Sequence, residues 1–206
     1  IAQVNPSISY PFPWSITVFI EGETVNYERI ADMTGFAIDL AKFLKELQSI
    51  DTTGAPEAGK SNFFRGGDLA IYNNETEKAL FDLEGELPAD KLKEIWKYLI
   101  QTKWVNQKVW VHGDIAVGNL LVKDGVLCGV IDFGLMSIGD PACDYAIAWT
   151  FFEINARKSF FETLNCDKGT IDRAKGWALW KALITYRDKN IIVSENAKYT
   201  INEILK

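Results

Sequence analysis

The sequence predicts an α+β fold that is mostly helical. Apolar residues recur at spacings of three and four over long stretches, most clearly between Tyr27 and Ile50. One cluster of short β-type segments lies in the middle of the chain, around Val109–Phe133, and everything after Asp140 reads as helix. At 206 residues the chain suits one domain or one large lobe of a two-lobed protein. Seven tryptophans and twelve phenylalanines supply a core and argue against disorder.

The elements run in order along the chain. Residues 1–13 hold Pro6, Pro11 and Pro13 and read as loop. Trp14–Ile20, "WSITVFI", is β-branched and aromatic and reads as a strand that ends at Glu21–Glu23. A helix is expected over Tyr27–Ile50, with Asn26 as its cap and Gly35 as a weak point. Residues 51–74 read as a long loop with some local structure. Helices are expected next at Glu75–Leu83 and at Pro88–Trp104, with Pro88 in the first turn. "KVWVH" reads as a strand, and two short strands flank a turn at Asp124–Gly125. The remaining helices are expected at Asp140–Phe152, about Ala156–Leu164, about Thr170–Asp188 and Ser194–Leu205.

Composition excludes some classes. A net charge of −6 is a poor match to nucleic acid, which attracts a basic face, and mildly favours a cationic partner. Cys128, Cys143 and Cys166 are odd in number, show no CxxC spacing and have apolar neighbours, so reduced, packed thiols in a cytoplasmic protein are expected. No apolar run approaches a membrane span, and no secretory signal is visible, although the chain opens without Met.

The chemistry concentrates in "VHGDIAVGN" at Val111–Asn119 and "VIDFG" at Val130–Gly134. If the hairpin closes at Asp124–Gly125, Asn119 precedes one arm and Asp132 ends the other, so both emerge at one end. Asp114 sits across the loop that enters the first arm. Carboxylates brought that close repel unless a cation lies between them, and hard oxygen donors suit Mg²⁺ carrying phosphates and water. Asp132 and Asn119 are the candidate metal ligands. Asp114 is the candidate catalytic carboxylate, placed to orient a hydroxyl and take its proton. The spacing Asp114 to Asn119 matches the D-x-x-x-x-N catalytic loop of protein kinases, and Asp132-Phe133-Gly134 matches their metal-binding triplet. His112, the only histidine, is expected to buttress the loop from the core rather than act as a base.

"VHGDIAVGNLLV", "GVIDFG" and "GDPACDYAIAW" together resemble the aminoglycoside phosphotransferase family, small-molecule kinases that share the protein kinase fold. Gly113 stands where protein kinases usually carry Arg. The resemblance implies the carboxy-terminal lobe of a kinase-like fold, with its small β-hairpin at the active site. It implies two parts: residues 1–23 as the end of an amino-terminal lobe and hinge, and residues 24–206 as the helical lobe with the catalytic and metal loops. It also implies ATP, or another nucleoside triphosphate, and Mg²⁺ as cofactors. The hinge backbone at Thr17, Val18 and Phe19 would meet the nucleotide base. Leu121 and Ile131 would line its pocket, with plain core packing as the alternative. Asp144 would brace the catalytic loop through backbone N–H groups, and Asp140 would cap the following helix.

The family's phosphate-covering lobe, with its lysine, lies upstream of the hinge, and residues 1–13 contain no lysine. The expectation is therefore a hinge and one lobe, with little turnover unless that lobe is supplied. The acceptor is expected to be a small-molecule hydroxyl, with a cationic aminoglycoside, homoserine, choline, sugars and macrolides all open. Glu153, Asp167 and Asp172 are the candidates to meet a cationic acceptor, though each is more simply a helix cap or solvated face. Arg65 reads as a surface or packing residue, with a substrate contact less favoured. The competing function is a non-catalytic kinase-like lobe that binds partners. The intact set Asp114, Asn119 and Asp132 argues against it, because a retired site has no need of so costly a cluster.

Overall fold

In the computed structural model the backbone is described for residues 2–206, and side chains from Asn5 onward. The first strands are β1 (Ala2–Val4) and β2 (Trp14–Ile16), an antiparallel pair in which Gln3 faces Ser15. Two expectations change here. A strand occupies part of the predicted loop, and the predicted strand stops at Ile16 instead of Ile20. Residues 17–22 belong to no strand.

The first long helix also starts later than its periodicity suggests. Two capping residues divide the segment. Asn26 accepts the N–H of Arg29 and closes a single 3₁₀ turn over Tyr27–Arg29. Ile30 is extended, and Asp32 then accepts the N–H of Thr34 to open α1 (Met33–Ser49). Phe36, Ala37, Leu40, Ala41, Leu44 and Leu47 form the buried stripe of α1, which packs against α5 (Ile154–Leu164).

Two further helices, α2 (Asn73–Asp82) and α3 (Ala89–Leu99), support α6 (Lys168–Thr185). α3 begins after Pro88, as expected, but ends five residues before Trp104. α6 is buried on most of its circumference by α2, α3, α7 (Ile191–Leu205) and the turn Pro141–Ala146. Asp167 caps it by accepting the N–H and hydroxyl of Thr170, which moves its start ahead of the predicted one. The helix expected over Asp140–Phe152 is mainly a 3₁₀ helix, Pro141–Ala146, followed by one α-turn, α4 (Ile147–Thr150).

Two small sheets carry the polar loops. β3 (Glu23–Thr24), β5 (Leu120–Lys123) and β6 (Val126–Val130) form one, and β4 (Val109–Val111) with β7 (Ser137–Gly139) forms the other. β5 and β6 are the predicted hairpin. Its turn puts Asp124 at φ 52° and Gly125 at φ 82°, the paired left-handed residues of a tight two-residue turn. Residues 51–72 are not a free loop: the N–H of Ile138 in β7 donates to Pro56, that of Asp140 donates to Gly66, and the Ser137 hydroxyl donates to Arg65.

All three cysteines are free thiols. Cys143 and Cys166 are partly covered, and burial pushes the first well above the usual thiol range and the second up to about 12. Cys128 corrects the expectation of packed thiols, because it lies on the outward side of β6 and is exposed. No helix among the described residues is long and apolar enough to cross a membrane.

Candidate active site

β4 delivers the chain into the catalytic loop, and a buried carboxylate fixes the first turn of that loop. Asp144 accepts the backbone N–H of His112 at 2.7 Å and of Gly113 at 2.8 Å. It is fully buried, and burial raises its carboxyl to about 6 against the two donated hydrogen bonds. Gly113 has φ +84°, and a Cβ there would lie 2.5 Å from the carbonyl oxygen of Leu135. Only glycine suits both the left-handed backbone and that approach.

His112 is completely buried and hydrogen-bonded, as expected of a buttress. Its Nδ1 accepts the N–H of Asp114 at 3.2 Å, so the proton sits on Nε2 and is donated to the carbonyl of Ile131 at 3.0 Å. The ring packs on Phe133. One side chain therefore ties the loop bearing Asp114 to the strand end bearing Asp132.

Asn119 closes the loop. Its Nδ2 donates to the backbone oxygen of Asp114 at 2.9 Å and to its carboxylate Oδ2 at 3.0 Å. The Asn119 carbonyl accepts the N–H of Ile131, which extends the hairpin by one rung beyond Leu120–Val130. Asn119 and Asp132 accordingly leave the same end of the hairpin. Asp132 is left-handed at φ 63°, is exposed, and keeps only a long 3.4 Å bond from Gly134 N–H.

These groups fit an open Mg²⁺ site. With Nδ2 engaged by Asp114, the Oδ1 of Asn119 is left as an acceptor, and the Asp132 oxygens are nearly uncommitted. Among the described residues there is no cluster of three or more His, Cys, Asp or Glu able to enclose a metal. Two protein oxygens with room for phosphate and water are what Mg²⁺ usually takes.

Thr17, Val18 and Phe19 follow β2 outside any regular element, with Val18 and Phe19 75% and 82% exposed. Leu121 is half-buried, and its side chain lies with that of Ile20 over Gly129. Ile131 is half-buried and takes part mainly through its backbone.

Asp114 forms part of the wall of a cleft of about 280 Å³. Ile147, Trp177 and Ile192 give it an apolar lining, and Arg65 and Lys181 are its cations. A substrate contact for Arg65 is only the less favoured reading of the sequence, which does not single out Trp177; the glycine pair after Arg65 lets that segment dock on β7. Glu153, Asp167 and Asp172 do not line this cleft, in line with the simpler reading of them as caps and solvated faces rather than acceptor contacts. Glu153 sits at the start of α5, Asp167 caps α6, and Asp172 pairs with Lys168 and Tyr98.

A braced Asp-Asn loop facing a hairpin-borne Asp, on a helical body, defines the carboxy-terminal lobe of a kinase-like phosphotransferase fold. The model of the phosphotransferase enzyme family matches residues 2–181, and the chain belongs to that family. It is 28% identical over 167 residues to aminoglycoside 3'-phosphotransferases of Escherichia coli and Salmonella typhimurium, covering 78% of this chain and 61% of each relative. The chain thus spans about three-fifths of the length of these curated relatives. Among solved structures, the GDP complex of aminoglycoside 2'-phosphotransferase-IIIa matches with a TM-score of 0.64 at 15% identity, over all of this chain and 74% of the other. A macrolide 2'-phosphotransferase from Brachybacterium faecium matches with a TM-score of 0.57 at 18% identity, over 93% of this chain and 69% of the other.

Proposed function

We propose that this protein transfers a phosphoryl group from ATP, or another nucleoside triphosphate, to a hydroxyl of a small molecule, with Mg²⁺ as cofactor. The observation that carries this reading is the loop geometry: Asp114 is held by Asn119 and His112 at the wall of a cleft, beside the hairpin end that bears Asp132. The acceptor hydroxyl would donate to the Asp114 carboxylate. Its proton would pass to Asp114 as the new O–P bond forms and the bond to the leaving diphosphate oxygen breaks. Asn119 keeps the carboxylate turned toward the cleft. Asn119 Oδ1 and Asp132 would hold Mg²⁺, which when bound would offset the charge on the phosphates. The backbone at Thr17–Phe19 would meet the base, above Leu121 and Ile131.

Replacing Asp114 tests this. In a form that also carries the phosphate-covering element, Asp114→Ala is expected to lower transfer by about 10²–10⁴-fold while the thermal midpoint holds, since Asp114 is only half-buried. Transfer near the wild-type rate would overturn the role given to Asp114. We further propose that rapid turnover needs a phosphate-covering element and its lysine in addition to residues 1–206, with residues 1–23 serving as hinge. These 206 residues alone should then bind nucleotide weakly, and robust ATP-dependent phosphorylation by them would refute that requirement.

A further inference from the structure

We propose that the acceptor carries an anionic group, a carboxylate or phosphate, on a compact apolar body, and is not a polycation. The assignment rests on the phosphotransferase reading for the position of the reacting hydroxyl at Asp114, but not for the charge of the cleft.

Three arginines of this fold lie against tryptophan rings, and two of them show how the chain ordinarily satisfies such a group. Arg157 lies over Trp149 and pairs with Glu203 at 2.8 Å. Arg173 lies over Trp104 and pairs with Asp140 at 2.6 Å. Arg65 has the stacking without the carboxylate. Its guanidinium sits 5.2 Å from the ring centres of both Trp177 and Trp180. Its Nε is buried with no hydrogen-bond partner among the described residues. Aromatic faces attract the charge but cannot accept the in-plane N–H groups. A carboxylate or phosphate in the cleft that Arg65 lines can accept from its terminal N–H groups.

The surroundings point the same way. The chain carries 28 acidic residues against 22 basic ones, yet the charged residues lining this cleft are Arg65, Lys181 and Asp114. No ion pair engages Lys181 among the described residues. The Cys143 thiol in the wall stays neutral, because burial raises it. With Asp114 committed to the hydroxyl, the remaining charge is cationic and would repel an aminoglycoside-like ligand. The volume of about 280 Å³ lies at the lower edge of the roughly 300–1,000 Å³ of small-molecule sites, which suits a compact body.

The test uses three chain-matched alcohols: 6-hydroxyhexanoate, 1,6-hexanediol and 6-aminohexanol. Binding is measured by calorimetry, and phosphoryl transfer to each is measured with ATP and Mg²⁺. We expect the hydroxy acid to bind at least tenfold more tightly than the diol and the amine to bind weakest, with the preference weakening as salt rises. Arg65→Gln should bring the hydroxy acid down to the diol's affinity, and Arg65→Lys should restore part of the difference. Lys181→Gln, at an exposed position, should reduce the same preference without endangering the fold. Failure of 6-hydroxyhexanoate to bind more tightly than the other two, or a preference that survives both Gln variants, overturns the assignment. Transfer that favours 6-aminohexanol overturns it too, while leaving the phosphotransferase reading intact. Charge-selective binding without transfer to any alcohol supports the anion site, and the phosphotransferase reading is then decided by the Asp114 test, because residues 1–206 alone are expected to turn over little.

Discussion

The catalytic loop and the hinge-like segment would serve one reaction, yet the chain holds them in opposite ways. From His112 to Asn119 the loop is fixed from inside: Asp144 grips two of its N–H groups, His112 ties it to Ile131, and Asn119 closes it on Asp114. From Asn5 to Ile20 every side chain is exposed, and Val18 and Phe19 have no covering neighbours. The position of Asp114 is therefore a property of the core, whereas Thr17–Phe19 would take its position from the nucleotide proposed to bind there. On the proposed reading, preorganisation is built where the acceptor's proton would be handled. Substitutions of the buried groups that brace the loop should accordingly cost stability and activity together, and substitutions in the segment should cost ligand affinity alone.

The largest loss is expected one step behind the loop. Asp140 and Arg173 form a buried pair, and Arg173 also reaches Thr102 and Thr170. Burial raises the Asp140 carboxyl despite the guanidinium beside it, so desolvation outweighs attraction. Asp140→Ala would leave a buried unpaired cation and should cost about 3–5 kcal/mol in denaturant unfolding. Asp140→Leu combined with Arg173→Met should cost much less. If the double variant is as unstable as the single one, the pair contributes more than its charges.

Asp144→Asn comes next. The amide can accept one of the two N–H groups but presents its own donors to the other, a loss of about 1.5–3 kcal/mol. The pH dependence separates stability from function. With its pKa raised to about 6 on folding, Asp144 takes up a proton as the chain folds. Its contribution to stability is fully present below the unfolded value near ~3.9 and is lost as pH rises through about 6. Activity should run the other way, because only the ionised group accepts cleanly from both His112 and Gly113. We expect transfer to fall below about pH 6, with an inflection in the pH–rate profile that Asp144→Asn lacks. Gly113→Ala is smaller in stability, about 1–2 kcal/mol from the left-handed backbone. It should still reduce transfer, because the added methyl meets Leu135 and shifts the loop.

The sequence was most legible where local chemistry decides. The Asp124–Gly125 turn, the convergence of Asn119 with Asp132 and the buttress role of His112 derive from short-range spacing and backbone demands, whereas the bracing role of Asp144, far along the chain from the N–H groups it accepts, follows only from the family resemblance. Helix starts were less legible, because Asn26 and Asp32 are both good caps and only packing decides which one opens α1. Two-residue and three-residue strands such as β3 and β1 carry too few side chains to show alternation. The cleft was least legible of all. Arg65 is 112 residues from Trp177 in sequence, and nothing local says that their side chains meet. The acidic residues that looked suited to a cationic acceptor are instead absorbed as caps and ion pairs.

The smallest effect is the sharpest test of the comparison. Phe19 is 82% exposed, so Phe19→Ala removes little buried surface, and unfolding should change by less than about 0.5 kcal/mol. If the segment meets the nucleotide base, the same change should weaken nucleotide binding by roughly two- to tenfold, the size of an aromatic contact worth about 0.5–1.5 kcal/mol. Calorimetric titration with ATP and a thermal melt on the same preparation read both quantities. A clear drop in the melt would mean that the segment is anchored like the loop. Unchanged ATP affinity would mean that Thr17–Phe19 is not where the base sits. Only a loss confined to affinity keeps the division of labour in which the core fixes Asp114 and the ligand fixes the hinge.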